Sequence, residues 1–234
     1  EGAGLEGAYR TDGGQGLSGR DEMPAPLGPV ILGGRTGTAE TRMWRAAAEV
    51  GAQVIDLEGL ASRRGSLLGP EPGLDQPSQR LFESKLHDVM RQLDPARPVF
   101  IEAESNKVGA CHVPPALWRG MRGAPSIQVT APLEARVAFL LDDYRHVVAE
   151  PARLDPLLQW VVERVGHETV GRWREAIGAD DWHGFVTRVL KDHYDPAYDR
   201  SAAKRDYHDI DVLHTDKLDD KAVTDLAAKL AALP

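Results

Sequence analysis

Pro29-Val30-Ile31-Leu32-Gly33-Gly34-Arg35-Thr36-Gly37-Thr38-Ala39-Glu40-Thr41 runs from an apolar, strand-like stretch through a glycine-rich turn into a helix start. In such a turn the backbone N–H groups at the head of the helix converge and favour an anion. The reading is a phosphate-binding loop with two exchanged residues. Gly34 fills the first glycine place and Thr41 the hydroxyl place, but Ala39 stands where the last glycine belongs and Glu40 where lysine belongs. A lysine about 4 Å from a phosphate contributes roughly 4 kcal/mol at an effective dielectric of about 20, and a carboxylate there repels by a similar amount. The helix terminus returns about 0.3 to 1 kcal/mol. Unaided nucleoside triphosphate hydrolysis is therefore not expected here. On the loop alone, a tight strand-to-helix turn that binds nothing is the competing reading.

Outward from this loop the texture is that of a parallel α/β sheet, with short β-rich runs alternating with amphipathic helical stretches. Strands are expected at Val30–Leu32, Val54–Ile55, Val99–Ile101, Ile127–Val129 and Ile210–Leu213. The first helix carries Met43, Trp44 and Ala47 and ends at Gly51. Ser78 is a plausible N-cap for a helix whose apolar face includes Leu81, Phe82, Leu86, Val89, Met90 and Leu93. Pro115 starts a helix with Leu117, Trp118 and Met121; Pro132 opens another through Val137, Leu140, Leu141 and Tyr144. Residues from about 150 to 206 are helical throughout, and a closing helix begins near 219. The fold class is α/β: a phosphate-loop, nucleotide-kinase-like parallel sheet of about five strands with a helical subdomain. The divisions are a flexible, glycine-rich arm at 1–28, an α/β core at 29–148, a helical subdomain at 149–206, and the last strand and helix of the core at 207–234.

Composition narrows the function. With 234 residues and an ordinary apolar fraction, the chain can bury a core without metal or disulfide staples. A single cysteine, Cys111, excludes an internal disulfide and a multi-cysteine zinc site and suits a reducing compartment. Its neighbour His112 is no partner for it, because adjacent residues on an extended segment point apart. No apolar run reaches the roughly 20 residues that span a bilayer, so a cytoplasmic protein is expected. The net charge of −8 argues against a globally basic nucleic-acid binder and leaves room for a local basic face.

Ligands of such sheets bind at the carboxyl ends of the strands. Asp56 and Glu58 follow the second strand there, and Glu102 and Glu104 the third. Acids at strand ends are also common helix caps. Arg63 and Arg64 follow the second strand and offer bidentate donors to a diphosphate, compensating for Glu40. His193-Tyr194-Asp195-Pro196-Ala197-Tyr198 places rings beside Arg188, Lys191 and Arg200, which suits stacking on unpaired bases and contacts to RNA phosphate. Packing of a helix end is the alternative for the same group.

Six segments in this order resemble the tRNA 2-selenouridine synthase family: LEGAY at 5–9, GGRTGTAET at 33–41, DLEGLASRRGS at 56–66, QPSQRLFES at 76–84, VFIEAESNKVG at 99–109 and HYDPAY at 193–198. The resemblance implies action on wobble 2-thiouridine of tRNA in two steps. Geranyl diphosphate alkylates the sulfur, and selenophosphate then supplies selenium in place of the S-geranyl group. It implies a diphosphate held by Gly34, Arg35, Thr36, Gly37, Thr38, Thr41, Arg63 and Arg64, with Mg2+ arranged by Thr41 and Glu102 and with Glu102 and Glu104 as the acidic catalytic pair. Arg188, Lys191, His193, Tyr194, Tyr198 and Arg200 would then meet tRNA, and a selenophosphate-supplying enzyme is the implied partner.

Three departures qualify that picture. LEGAY resembles the final strand and turn of a rhodanese-like domain, so the arm is read as its remnant, and the family's catalytic cysteine is absent; Cys111 does not replace it. Ala39 and Glu40 alter the loop, and Arg63 stands where the family more often has histidine. A transferase impaired by these changes is the leading reading. A noncatalytic RNA-binding or scaffolding relative with a degenerate loop is the second, and a small-molecule kinase, disfavoured by Glu40, the third. If Arg63 and Arg64 supply the missing positive charge, replacing both with Ala abolishes diphosphate binding in calorimetry; unchanged affinity refutes that role.

Overall fold

The computed structural model describes residues 28–62, 75–103, 105–203 and 208–233. In chain order it holds β1 (Pro29–Gly34), α1 (Glu40–Glu49), β2 (Gln53–Ile55), α2 (Leu57–Leu60), α3 (Gln79–Met90) and β3 (Val99–Glu102). A small antiparallel hairpin, β4 (Lys107–Val108) and β5 (Cys111–His112), precedes α4 (Pro115–Met121) and β6 (Pro125–Thr130). The helical stretch comprises α5 (Leu133–Asp143), α6 (Arg145–Ala149), a 3-10 turn (Pro151–Leu154), α7 (Asp155–Val165), α8 (His167–Gly178), α9 (Trp182–Val189), a π-helical turn (Leu190–Tyr194) and α10 (Asp195–Ala202). The chain then returns to the sheet with β7 (His208–His214) and closes with α11 (Asp220–Ala231).

The sheet has the order β2-β3-β1-β6-β7, and every pairing in it is parallel. Pleating sends alternate residues of β1 to opposite faces. Ile31 enters a core built with Phe82, Leu86, Leu117 and Met121, whereas Leu32 enters one built with Met43, Trp44, Leu226 and Leu230. Both faces are thus covered by helices, which is why the central strands read as nearly continuous apolar runs. A third core, around Trp173 with Leu158, Val161, Val170 and Phe185, holds α7, α8 and α9 together. The Trp173 indole donates to Asp192 Oδ2 at 3.1 Å, so its buried N–H is satisfied.

Local signals act where the sequence places them. Ser78 Oγ accepts from Leu81 N at 3.3 Å and Asp219 Oδ1 from Ala222 N at 2.9 Å, each capping the helix that follows. Leu81 departs from its expected place on the apolar face and is 49% exposed. Phe82, Leu86 and Met90, spaced by four, take the buried stripe, and Leu81 lies about 100° round the helix from Phe82. The β4–β5 hairpin, which no periodicity announces, is tied down by Gln76 and Gln79. Gln76 Oε1 accepts from Ala110 N at 2.9 Å, while Gln79 bridges both backbone groups of His112.

Register positions the site. Leu32 of β1 pairs with Glu102 of β3, so the acidic end of β3 lies beside the start of the glycine-rich turn. Here the chain order of the sheet reverses about β1, the place where open α/β sheets carry ligands.

Candidate functional site

A cleft of about 310 Å³ opens at these strand ends, lined by the turn from Gly34 to Thr41 and by Glu58, Glu102 and Tyr198. The turn has the shape of an anion cradle. Gly34 must lack a side chain, since a Cβ there would stand 2.6 Å from Thr38 Oγ1 and 2.9 Å from the Val129 carbonyl oxygen. Gly37 adopts φ 88°, and a Cβ on it would meet Leu140 Cδ1 at 3.0 Å. Thr38 is buried and closes the turn on itself, its Oγ1 donating to the Arg35 carbonyl at 2.9 Å.

The two exchanged residues behave differently. Ala39 sits at the N-cap of α1 with φ 61° and ψ 27°, a left-handed conformation that glycine adopts freely and alanine does not. Glu40 opens α1, where a carboxylate suits the helix dipole. Its Oε1 is buried over Gly34, 2.8 Å from the place a Cβ on Gly34 would occupy. A carboxylate therefore lies against the cradle itself.

Of the other expected anion and metal residues, Thr36 and Thr41 line the cleft, and so does Glu102, which is 8% exposed and accepts a short hydrogen bond from Glu58 N. Asp56 caps α2, accepting from Gly59 N at 2.6 Å. Arg35 turns away from the cleft lining: its guanidinium donates to Asp199 at 2.8 and 3.1 Å and stands 3.7 Å from Asp195. The reason is electrostatic, because α10 presents two carboxylates just beyond the turn. Arg63, Arg64 and Glu104 lie outside the described residues. Arg42 and Arg45, which the sequence reading did not single out, bring cations to the cleft wall. Arg42 also pairs with Asp142 at 3.4 Å and Asp143 at 3.3 Å, and it lies 4.9 Å over the Phe139 ring. Their positions one and four residues after Thr41, on one face of α1, were the available signal.

A third missed residue holds the turn in place. Arg136 of α5 is 3% exposed; its Nη1 donates to the Thr36 carbonyl at 3.1 Å, and both terminal nitrogens donate to the Asp195 carboxylate at 2.8 Å. Asp195 comes from the HYDPAY segment, which thus packs against the loop. From the same segment Tyr198 lines the cleft, and its hydroxyl donates to Gln128 Oε1 at 2.7 Å.

The remaining residues expected to meet tRNA are spread over the helical subdomain. Arg188 pairs with Asp181 at 3.5 Å, and Lys191 and Arg200 are exposed. The rings of His193 and Tyr194 meet edge to face, 5.0 Å between centroids. Burial, with Arg164 and Arg200 nearby, holds His193 below its ordinary value of 6.5. Tyr194 faces a second cavity of about 60 Å³, almost wholly apolar, between α5, α6 and α9. Cys111 is buried, and burial pushes its thiol up, away from the thiolate form.

Two measurements test this geometry. Asp195→Ala leaves Arg136 buried without its carboxylate and should destabilise the chain by about 3 kcal/mol in urea unfolding. The exposed Arg35–Asp199 pair should matter by under about 1 kcal/mol. For His193, both causes favour the neutral ring, so the unfolded chain binds more protons just below pH 6.5. Stability is therefore lost as pH falls from that value toward the depressed folded one. His193→Gln should flatten that part of the stability–pH curve.

Among the described residues no helix is long and apolar enough to cross a membrane. A family model described as the tRNA 2-selenouridine synthase AAA domain matches residues 28–156. The chain is 33% identical over 216 residues to a tRNA 2-selenouridine synthase of Alcanivorax borkumensis, covering 79% of this chain and 58% of that protein. It is 31% identical over 204 residues to one of Cupriavidus pinatubonensis, covering 75% and 54% respectively. The chain thus spans a little over half the length of the curated relatives it matches. With more than half of its residues within the family model, and with the loop, the acidic strand end and the sheet in their expected places, the chain belongs to the tRNA 2-selenouridine synthase family.

Proposed function

We propose that the cleft binds geranyl diphosphate and that the chain takes part in converting wobble 2-thiouridine of tRNA to 2-selenouridine. The observation that carries this reading is the convergence of the cradle, Arg42, Arg45 and Glu102 on one cleft at the ends of β1 and β3. In the first step the sulfur at C2 of the base attacks C1 of the geranyl chain. A C–S bond forms as the C–O bond to diphosphate breaks, diphosphate leaves with the electron pair, and N3 of the base gives up its proton. In the second, selenium of selenophosphate adds at C2 and the S-geranyl group departs; water takes the phosphoryl group from selenium. Alkylation is sensible because a thiocarbonyl sulfur is a poor leaving group and an S-alkyl one is better.

The residues present fit a divalent cation that shares its ligands with a diphosphate. Glu40, Glu58, Glu102 and Asp143 all border the cleft, so a polyanion there needs added positive charge. Among the described residues no three His, Cys, Asp or Glu side chains form a metal site by themselves. Mg2+ commonly takes one or two protein oxygens and completes its shell with phosphate and water. Thr41 and Glu102 would hold it, and it would supply charge neutralisation for the leaving diphosphate. Gly34 and the turn from Thr36 to Thr38 would orient the diphosphate through backbone N–H groups. Arg136 acts at one remove by fixing the Thr36 carbonyl. On the subdomain, Arg188, Lys191, His193 and Arg200 are the residues for tRNA, and a selenophosphate-supplying enzyme would deliver the second substrate.

The position of the Glu40 carboxylate over Gly34 favours a second reading, a noncatalytic RNA-binding relative whose cradle is filled by its own side chain. One comparison separates the two. In calorimetry with Mg2+, Ala39→Gly combined with Glu40→Lys should raise diphosphate affinity at least tenfold, about 1.4 kcal/mol. No gain in the double variant places the ligand elsewhere and leaves the noncatalytic reading.

A further inference from the structure

Arg35 stands between Gly34 and Thr36, both of which line the cleft, yet its own side chain is engaged elsewhere. Its Nη2 donates to both carboxylate oxygens of Asp199, and its Nη1 stands 3.7 Å from Asp195. The two acids are not equivalent. Asp195 has a side chain 14% exposed and is held by Arg136 through two bonds of 2.8 Å, whereas Asp199 is 55% exposed and Arg35 46%. Water competes for both partners of an exposed pair, so that pair contributes little, while separating a buried one is strongly unfavourable. Of the links between the turn and α10, the one through Asp199 is therefore the one that can exchange while Arg136 keeps its hold on Asp195 and on the Thr36 carbonyl.

A diphosphate on the turn offers a planar guanidinium more negative charge than one carboxylate does, with oxygens that suit two parallel hydrogen bonds. The cleft is also short of cations. Glu40, Glu58, Glu102 and Asp143 border it, and Arg42 at its wall already pairs with Asp142 and Asp143. A change of side-chain rotamer at Arg35, with the backbone held at Thr36, is the movement required. We infer that Arg35 is a movable donor of the anion site and Asp199 its competitor: a diphosphate on the Gly34–Thr41 turn takes the guanidinium from Asp199 and loosens α10 from the turn. The inference rests on the diphosphate reading above. It adds that anion affinity is set partly from outside the cleft, by a carboxylate that does not touch the ligand, which makes Asp199 a positioning residue. By linkage, whatever draws Asp199 away from Arg35 strengthens anion binding by the same factor with which the anion frees Asp199.

The test is calorimetry on the full chain with Mg2+ and inorganic diphosphate, for the parent, Asp199→Asn, Arg35→Gln and the two changes combined. Asparagine keeps the shape of the side chain and removes the charge that holds Arg35. The expected gain in Asp199→Asn is about threefold in affinity, within the range of one exposed ion pair, with a loss of similar size in Arg35→Gln. The combined variant should bind as Arg35→Gln does, and Asp199→Glu, which restores the carboxylate, should return the affinity to that of the parent. Removing a negative charge also favours an anion by simple Coulomb relief, whether or not Arg35 is present. An equal gain from Asp199→Asn in the Arg35→Gln background therefore overturns the inference, because the two positions then act independently. No gain in Asp199→Asn, or no loss in Arg35→Gln, overturns it as well and leaves the diphosphate reading standing. A parent chain that binds no diphosphate overturns that reading and this inference with it.

Discussion

The buried pair between Arg136 and Asp195 is the contact on which the site depends. Arg136 rises from α5, directly after the sheet, and Asp195 begins α10 at the far end of the helical stretch. Arg136 also donates to the Thr36 carbonyl, so the glycine-rich turn, the sheet and the subdomain share one charged, largely buried contact. Taking two charges out of water is costly unless their geometry is good and the remaining donors find acceptors. Here both terminal nitrogens reach the carboxylate and one of them also reaches the carbonyl, while the buried Nε finds no acceptor among the described residues. A contact of this kind fixes arrangement more than it adds stability. It determines where the turn lies relative to the helices that cover it.

Once the turn is fixed, the rest of the site follows from the sheet. Parallel pairing puts the carboxyl ends of β1 and β3 side by side, and the register brings Glu102 beside Leu32. The same geometry leaves the first turn of α1 facing the opening, with Arg42 and Arg45 one helical turn apart on its wall. The exchanged residues sit on opposite sides of this logic. Ala39 accepts a backbone strain that the turn demands, while Glu40 suits the helix dipole and would repel an anion placed in the turn.

How much of this could be read from the chain depended on whether the governing interactions were local. The five strands, the cap at Ser78, the start of the closing helix near 219 and the helices opened by Pro115 and Pro132 were legible because each rests on neighbours in sequence. So was the glycine-rich turn, announced by its spacing, although the atoms that crowd Gly34 and Gly37 include the Val129 carbonyl and Leu140, far along the chain. Arg136 was not, because one arginine inside an apolar helix looks the same whether it faces water or a partner 59 residues away. Tyr198 and Asp195 were visible as a dense polar and aromatic group, but their direction was settled by Gln128 and Arg136, which no spacing reveals. Leu81 shows the same limit on a smaller scale, since one step round a helix separates core from solvent.

The return of the chain to the sheet through β7 carries a consequence for assembly. That strand adds in parallel to β6, yet residues 131–207 lie between them. Closing so long a loop before any of it is ordered would forfeit chain entropy for a single added strand, although the penalty grows slowly with length. The intervening helices have their own apolar centre around Trp173, built from segments close in sequence. Local helix pairing is fast, whereas distant strand pairing is slow. The economical order is therefore that the helices gather first and shorten the span that β7 must bridge, making the completion of the sheet a late event in folding.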